Sequence, residues 1–177
     1  ATVAMLLVGL AIFSSLYSTQ AILPTLVQNM GLSSTEAAMT VSAATGALAL
    51  CVVPASILSE RFGRGRILLI SAVAATGVGL IVPLAQEGWQ LIVVRGLQGA
   101  LLSGAPATAM AWLSEELDDK ALPRAMGLYI AGTSVGGLTG RLIPTGLVEI
   151  STWRWALFGS ALVSLAFAIT SWLLLPT

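Results

Sequence analysis

Ser59-Glu60-Arg61-Phe62-Gly63-Arg64-Gly65-Arg66 puts four charged residues into eight positions, in a chain with only eight basic and eight acidic residues in all. On either side the sequence is apolar for about twenty residues, the length that crosses a bilayer. A short, basic, glycine-containing link between two such runs is a tight turn at a membrane surface. Its three arginines identify that surface as the cytoplasmic one, because Lys and Arg concentrate on that side.

Composition agrees. Of 177 residues, 56% are hydrophobic and 9% charged, where a soluble domain carries about 25% charge. Lipid must be the solvent for most of the chain. The net charge of +0 leaves no acidic or basic tail and no nucleic-acid footprint. There is no histidine, and the lone Cys51 sits in an apolar run and reads as a small buried hydrophobe. No metal site or cofactor is expected. The first apolar run lacks a basic leader and is too long for a signal peptide. The chain starts in apolar sequence without Met, so a trimmed start is expected.

Working outward from the turn, six spans are predicted, at about 2–26, 33–59, 66–85, 89–113, 122–148 and 153–175. Ser33-Ser34-Thr35-Glu36 fits a capping box at the start of the second. Pro123 suits the first turn of the fifth. The links after spans two and four hold Arg61, Arg64, Arg66, Lys120 and Arg124, whereas those after one, three and five hold only Arg154. Both termini are therefore expected in the cytoplasm. Trp89, Trp153 and Trp155 fall at the opposite interface, where indoles concentrate. Pro54, Pro106 and Pro144 are expected to kink their spans. Gly132, Gly136 and Gly140 recur every four residues in span five, as do Gly96, Ala100 and Gly104 in span four. Span two holds the shorter pairs Ser42/Gly46 and Ala43/Ala47. Such faces let backbones approach closely in lipid, as fixed seams or as sliding ones. Span six, with fewer small residues, is expected to be more peripheral.

Two arginines lie inside spans, Arg95 and Arg141, each costing about 2.5–3.5 kcal/mol or more to insert. At about 1.5 Å per residue they lie at similar depth, together with Tyr17 and Gln20. Gln98 is one turn from Arg95. The expectation is a polar layer of Tyr17, Gln20, Arg95, Gln98 and Arg141 in the outer half of the membrane. No Asp or Glu lies inside a span; Glu36, Glu87 and Glu149 stand at outer ends. Two readings stay open. Helix carbonyls, Gln side chains and Glu149 or Glu36 satisfy both arginines, or the arginines face a central cavity lined also by Tyr129, Thr133 and Ser134. There they would meet an anionic substrate or a carboxylate from a second half. Enzyme chemistry finds no support: there is no nucleophile–base pair, no phosphate loop and no paired carboxylates in a span.

The opening stretch, extended back to Ser56, resembles the helix-two/helix-three signature of the major facilitator superfamily, Gly-x-Leu-Ala-Asp-Arg-x-Gly-Arg followed by a basic residue. Leu58, Arg61, Gly63 and Arg64 match, Glu60 replaces the Asp, Ser56 the first Gly, and Gly65 takes the last basic place. Arg95-Gly96-Leu97-Gln98-Gly99 resembles the helix-four signature Arg-x-x-Gln-Gly, linked in the family to proton coupling. Gly127, Gly136 and Gly140 keep the spacing of the helix-five antiporter signature. Arg141 replaces its Pro, and Pro144-Thr145 replace its Gly-Gly. The run from Gly127 to Leu142 looks most like the YnfM and arabinose-efflux-type branch, and Thr152-Trp153-Arg154-Trp155 looks like the usual entry to helix six.

The resemblance implies an all-α integral membrane fold of six transmembrane helices, a 3+3 inverted repeat (1–85 and 88–177) forming one half of a twelve-helix transporter. It implies alternating access, with drugs, sugars or other metabolites exported against protons across the bacterial inner membrane. The implied partners are the bilayer, protons, a small and possibly anionic solute, and a second six-helix half. The stop at Leu175-Pro176-Thr177, where a central loop would begin, favours a fragment over a self-pairing half. Glu60, Arg61, Gly63, Arg64, Glu115 and Glu116 are the implied cytoplasmic gate, with Arg61 or Arg64 expected to pair with Glu115 or Glu116. The alternatives are a self-pairing anion channel or uniporter, and a non-transporting assembly module.

Overall fold

The computed structural model describes residues 2–174; the connection expected at Leu175-Pro176-Thr177 lies outside them. Eight α-helices build the six spans: α1 Thr2–Leu16 and α2 Leu23–Met30 in the first, α3 Ser34–Phe62, α4 Arg64–Gly79, α5 Gly88–Leu102 and α6 Gly104–Glu116 in the fourth, α7 Leu122–Ile150 and α8 Trp153–Leu174. No strand occurs among the described residues. Four stretches are long and apolar enough to span a membrane by themselves: Val3–Met30, Ser34–Phe62, Arg64–Leu84 and Trp153–Leu174. The fourth span is divided at Ser103 into helices of 15 and 13 residues. The fifth falls short because glycines, Arg124, Arg141 and Glu149 dilute its apolar content.

The first span differs most from expectation. It is two helices, and Pro24 opens the second rather than closing the first. Proline has no N–H and clashes with the carbonyl four residues back, so a single helix cannot run through it unaided. The chain passes through a turn and a short 3-10 segment at Gln20–Ile22, and α2 then runs on to Met30, closed by Gly31 at φ 67°. Pro54 and Pro144 lie inside helices that stay unbroken, and Pro106 is the third residue of α6, just after the interruption. In that first turn a missing N–H leaves nothing unpaired. Of the three prolines expected to kink their spans, Pro106 follows directly on a helix break, and the helices holding Pro54 and Pro144 are continuous.

The capping box forms: Glu36 N–H donates to Ser33 Oγ at 3.1 Å, and Ser33 N–H to Glu36 Oε1 at 3.3 Å. A second N-terminal device, unread in the sequence, opens α5, where the Gln86 and Glu87 amides donate to Gln90 Oε1. Packing is most extensive between α1 and α7 and between α3 and α5. These are spans one with five and four with two, the pairs that exchange under an inverted repeat. Span six, expected to be more peripheral, is less buried than spans one and three while packing on α1, α4 and α7, and α3 is the least covered of the four apolar spans. Trp89 and Trp155 are exposed, but Trp153 is buried, with Arg154 stacked 4.4 Å from its ring centre. Arg154 also donates to the carbonyls of Pro83 and Ala85 at 2.6 and 2.8 Å, tying the start of α8 to the end of span three.

At the quoted turn a single residue, Gly63, separates α3 from α4, at φ 100° and ψ 130°. A side chain is strained there, at about 1–3 kcal/mol. Gly63→Ala is expected to lower the melting temperature of the detergent-solubilised protein, whereas Gly77→Ala, where an added Cβ meets nothing within 4 Å, is expected not to.

Candidate functional site

Helices leave their last carbonyls without intrahelical donors, and inside a membrane no water makes up the deficit. The end of α1 creates this problem at mid-span, and Arg95 resolves it. Its Nη1 donates to the Ser15 carbonyl at 2.8 Å and its Nη2 to the Leu16 carbonyl, while Nε reaches the Thr40 carbonyl of α3 at 3.0 Å. Nη1 also bonds Gln98 Oε1 at 2.7 Å and Ser18 Oγ at 3.3 Å, and Gln98 Nε2 donates to the Ala75 carbonyl of α4 at 3.2 Å. A cation at a helix C-terminus is also favoured by the helix dipole. One guanidinium and one amide thereby join α1, α3, α4 and α5. Arg95 is completely buried and Gln98 nearly so. Neither lines an open cavity in this structure: Arg95 takes the first of the two readings, with helix carbonyls and a Gln side chain as its partners, and Gln98 is held by Arg95 and the Ala75 carbonyl.

Arg141 behaves differently. It is exposed on α7, its Nε donates to Gln20 Oε1 at 2.9 Å, and its Cζ lies 4.5 Å from the centre of the Tyr17 ring. The expected single polar layer is therefore two groups: Arg95 with Gln98 inside, and Arg141 with Tyr17 and Gln20 outside. Neither arginine is paired with Glu36 or Glu149; among the described residues the ion pairs all involve Arg64.

Tyr129 and Thr133 do not join the outer group. Tyr129 is buried and its hydroxyl has no hydrogen-bond partner among the described residues. Thr133 is half-buried and turns its hydroxyl back to the Ile130 carbonyl at 2.6 Å. An unpaired buried hydroxyl costs about 1–3 kcal/mol. Tyr129→Phe is accordingly expected to raise the melting temperature by a few degrees in a thermal unfolding assay.

Gly132, Gly136 and Gly140 of α7 face α1. A methyl built on Gly132 would stand 2.4 Å from the Leu6 carbonyl oxygen, one on Gly136 2.9 Å from those of Gly9 and Leu10, and one on Gly140 2.6 Å from that of Ser14. Ser14 Oγ and Thr139 Oγ1, 2.9 Å apart, close this seam. In span four the tight position is Gly99, 2.0 Å from the Ala44 oxygen, and Gly104 abuts Ser71, but Gly96 has nothing nearer than 3.9 Å. The spacing of small residues pointed to Gly96, Ala100 and Gly104; of these Gly104 is tight, against α4, while α3 crosses at Gly99.

At the opposite end, Arg64 Nε donates to Glu115 Oε1 at 2.8 Å, its Nη1 to Ser59 Oγ at 3.3 Å, and its Nη2 lies 3.7 Å from Glu60. The turn is thereby joined to the end of α6 through Arg64; Arg61 and Glu116 stay exposed. Gly65 leaves room for Trp112, whose indole nitrogen would lie 2.7 Å from a Cβ placed there.

Comparison with known proteins places this architecture. The description "Major Facilitator Superfamily" matches residues 5–177. The chain is 35% identical over 99% of its length to the inner membrane transport protein YnfM of Escherichia coli, covering 42% of that protein. It is 33% identical over 99% to the MFS-type transporter YybF of Bacillus subtilis, covering 43%. A more distant relative, the gallate transporter of Pseudomonas putida, is 28% identical over 88% of the chain and 34% covered. The chain thus spans less than half the length of these curated relatives. With the family match running over nearly the whole chain and an all-helical, multi-pass membrane fold beneath it, the chain belongs to the Major Facilitator Superfamily.

Proposed function

We propose that the chain forms one six-helix half of a secondary transporter, built of two three-helix repeats, 1–85 and 88–177. With a second half it moves a small solute by alternating access, exporting it in exchange for protons. The membrane is the bacterial inner membrane, and both termini lie in the cytoplasm. One observation carries this reading. Arg141 sits inside a span on an exposed face of α7, held there by Gln20 and Tyr17. A charge there is too costly to leave against lipid, so that face belongs on an aqueous cavity shared with a second half. Arg141, Tyr17 and Gln20 line the cavity, and an anionic solute suits it.

Arg95 contributes from behind the cavity wall. It fixes the broken end of α1, whose next turns carry Tyr17 and Gln20, so the geometry of the cavity depends on it. The proton is carried by a carboxylate of the second half. The Glu60–Arg64–Glu115 group, with Arg61, Gly63 and Glu116, works as half of a cytoplasmic gate.

Proteoliposomes with an imposed pH gradient test the proposal. The expected result is solute accumulation driven by the gradient and abolished by a protonophore. Flux indifferent to the gradient would make the protein a channel or uniporter instead, and absence of flux for every solute tried would make it a non-transporting module.

A further inference from the structure

We infer that Arg141, with Gln20 and Tyr17, is a subsite for the carboxylate of the transported solute. This rests on the transporter reading and narrows it to a substrate class.

The geometry leaves the guanidinium one free recognition edge. Gln20 Oε1 occupies the Nε side at 2.9 Å, and the Tyr17 ring covers one flat face. Tyr17 is itself backed by Phe13, ring centres 6.3 Å apart. The pair of Nη nitrogens is left without a hydrogen-bond partner among the described residues, and its planar fork matches the two oxygens of a carboxylate. Gln20 and Tyr17 hold the fork still without neutralising it, since neither is an anion. Gly137, one turn back on α7, leaves the space this needs: a Cβ there would already lie 3.7 Å from Tyr17 and 3.8 Å from Arg141 Nη1. A larger side chain would displace the pair. A held, unneutralised guanidinium on an open face is built for an anion that arrives from outside.

The test is equilibrium dialysis of the protein in nanodiscs against gallate, benzoate, benzamide and inorganic phosphate, with unfolding curves to verify each variant's fold. Gallate or benzoate is expected to bind, with benzamide and phosphate at least tenfold weaker. Arg141→Gln should lose carboxylate binding at least tenfold. Arg141→Lys should lose nearly as much, because an ammonium offers no fork. Gln20→Glu should lose it too, because it places a resident carboxylate on the guanidinium. The subsite is overturned if Arg141→Gln binds as the wild type does, if benzamide or phosphate competes equally with benzoate, or if the wild type binds neither carboxylate. Flux measured in parallel separates the two claims. Carboxylate binding that depends on Arg141 without flux sinks the transporter reading alone; gradient-driven flux with binding unchanged in Arg141→Gln sinks the subsite alone.

Discussion

Adding one methyl group at Gly99 is expected to cost the bundle about 3 kcal/mol, near the upper end for overpacking a core, while the same change at Gly96 should cost almost nothing. The two positions share a helix, a residue type and a turn. They differ in what lies opposite. At Gly99 the new Cβ would stand 2.0 Å from the Ala44 oxygen and 2.6 Å from its carbonyl carbon and Cα, all backbone atoms. No rotamer change relieves that clash, so α3 and α5 must separate along their whole crossing. At Gly96 the nearest atom is the Ala43 Cβ at 3.9 Å, an ordinary contact. Gly132→Ala should behave like Gly99→Ala, since it drives α7 off α1 at the Leu6 carbonyl. Gly127→Ala and Gly146→Ala meet nothing within 4 Å and should stabilise slightly, as alanine outranks glycine in a helix by about 0.8–1 kcal/mol. Unfolding curves in mild detergent for these five variants decide the matter. Equal losses at Gly99 and Gly96 would show that the helices do not approach as described.

What the sequence made legible follows from which interactions carry residue identity. The six spans, the quoted turn and the α3 capping box were readable because hydropathy and capping are properties of the side chains themselves. The Gly132, Gly136 and Gly140 spacing announced a seam, but not that α1 lies on its far side. In span four the same rule gave Gly96, Ala100 and Gly104, of which Gly104 meets α4 closely, but it did not give Gly99, because repetition alone cannot say which face a neighbour will cross. The break after Leu16 was not legible: a single span over about 2–26 holds Pro24 near its end, whereas Pro24 opens a second helix. It also hid which helix carbonyls would meet Arg95, although helix carbonyls and a Gln side chain as its partners were one of the two readings. With α1 read as continuous, its carbonyls looked satisfied, and nothing marked Ser15 and Leu16 as partners for Arg95. Backbone acceptors have no letter in a sequence; only the fold shows which ones are free.

Arg95→Met is therefore expected to be among the most destabilising single changes in the chain, at roughly 3 kcal/mol, although it swaps one long, flexible side chain for another. The loss is not of an ion pair, because none exists at this site. It is the exposure of acceptors to an apolar interior: the Leu16 carbonyl and Gln98 Oε1 have no other donor given to them in the structure, at about 1–3 kcal/mol each. The Ser15 carbonyl fares better, since the Ser18 amide and hydroxyl also reach it at 3.4 and 3.0 Å. Arg95→Lys should recover only part, because a single ammonium cannot meet α1, α3 and Gln98 together. Arg141→Met, at an exposed position bonded to one glutamine, should cost under about 1 kcal/mol. The location of the damage is as specific as its size. In a Cys51→Ser background, a cysteine at the half-buried Ser18 should react slowly with maleimide when Arg95 is present. It should react many-fold faster in Arg95→Met, as the end of α1 frays. If Arg95→Met and Arg141→Met lose equal stability, or labelling at residue 18 ignores Arg95, the guanidinium does not hold the break. The cavity wall of Tyr17 and Gln20 would then need another support.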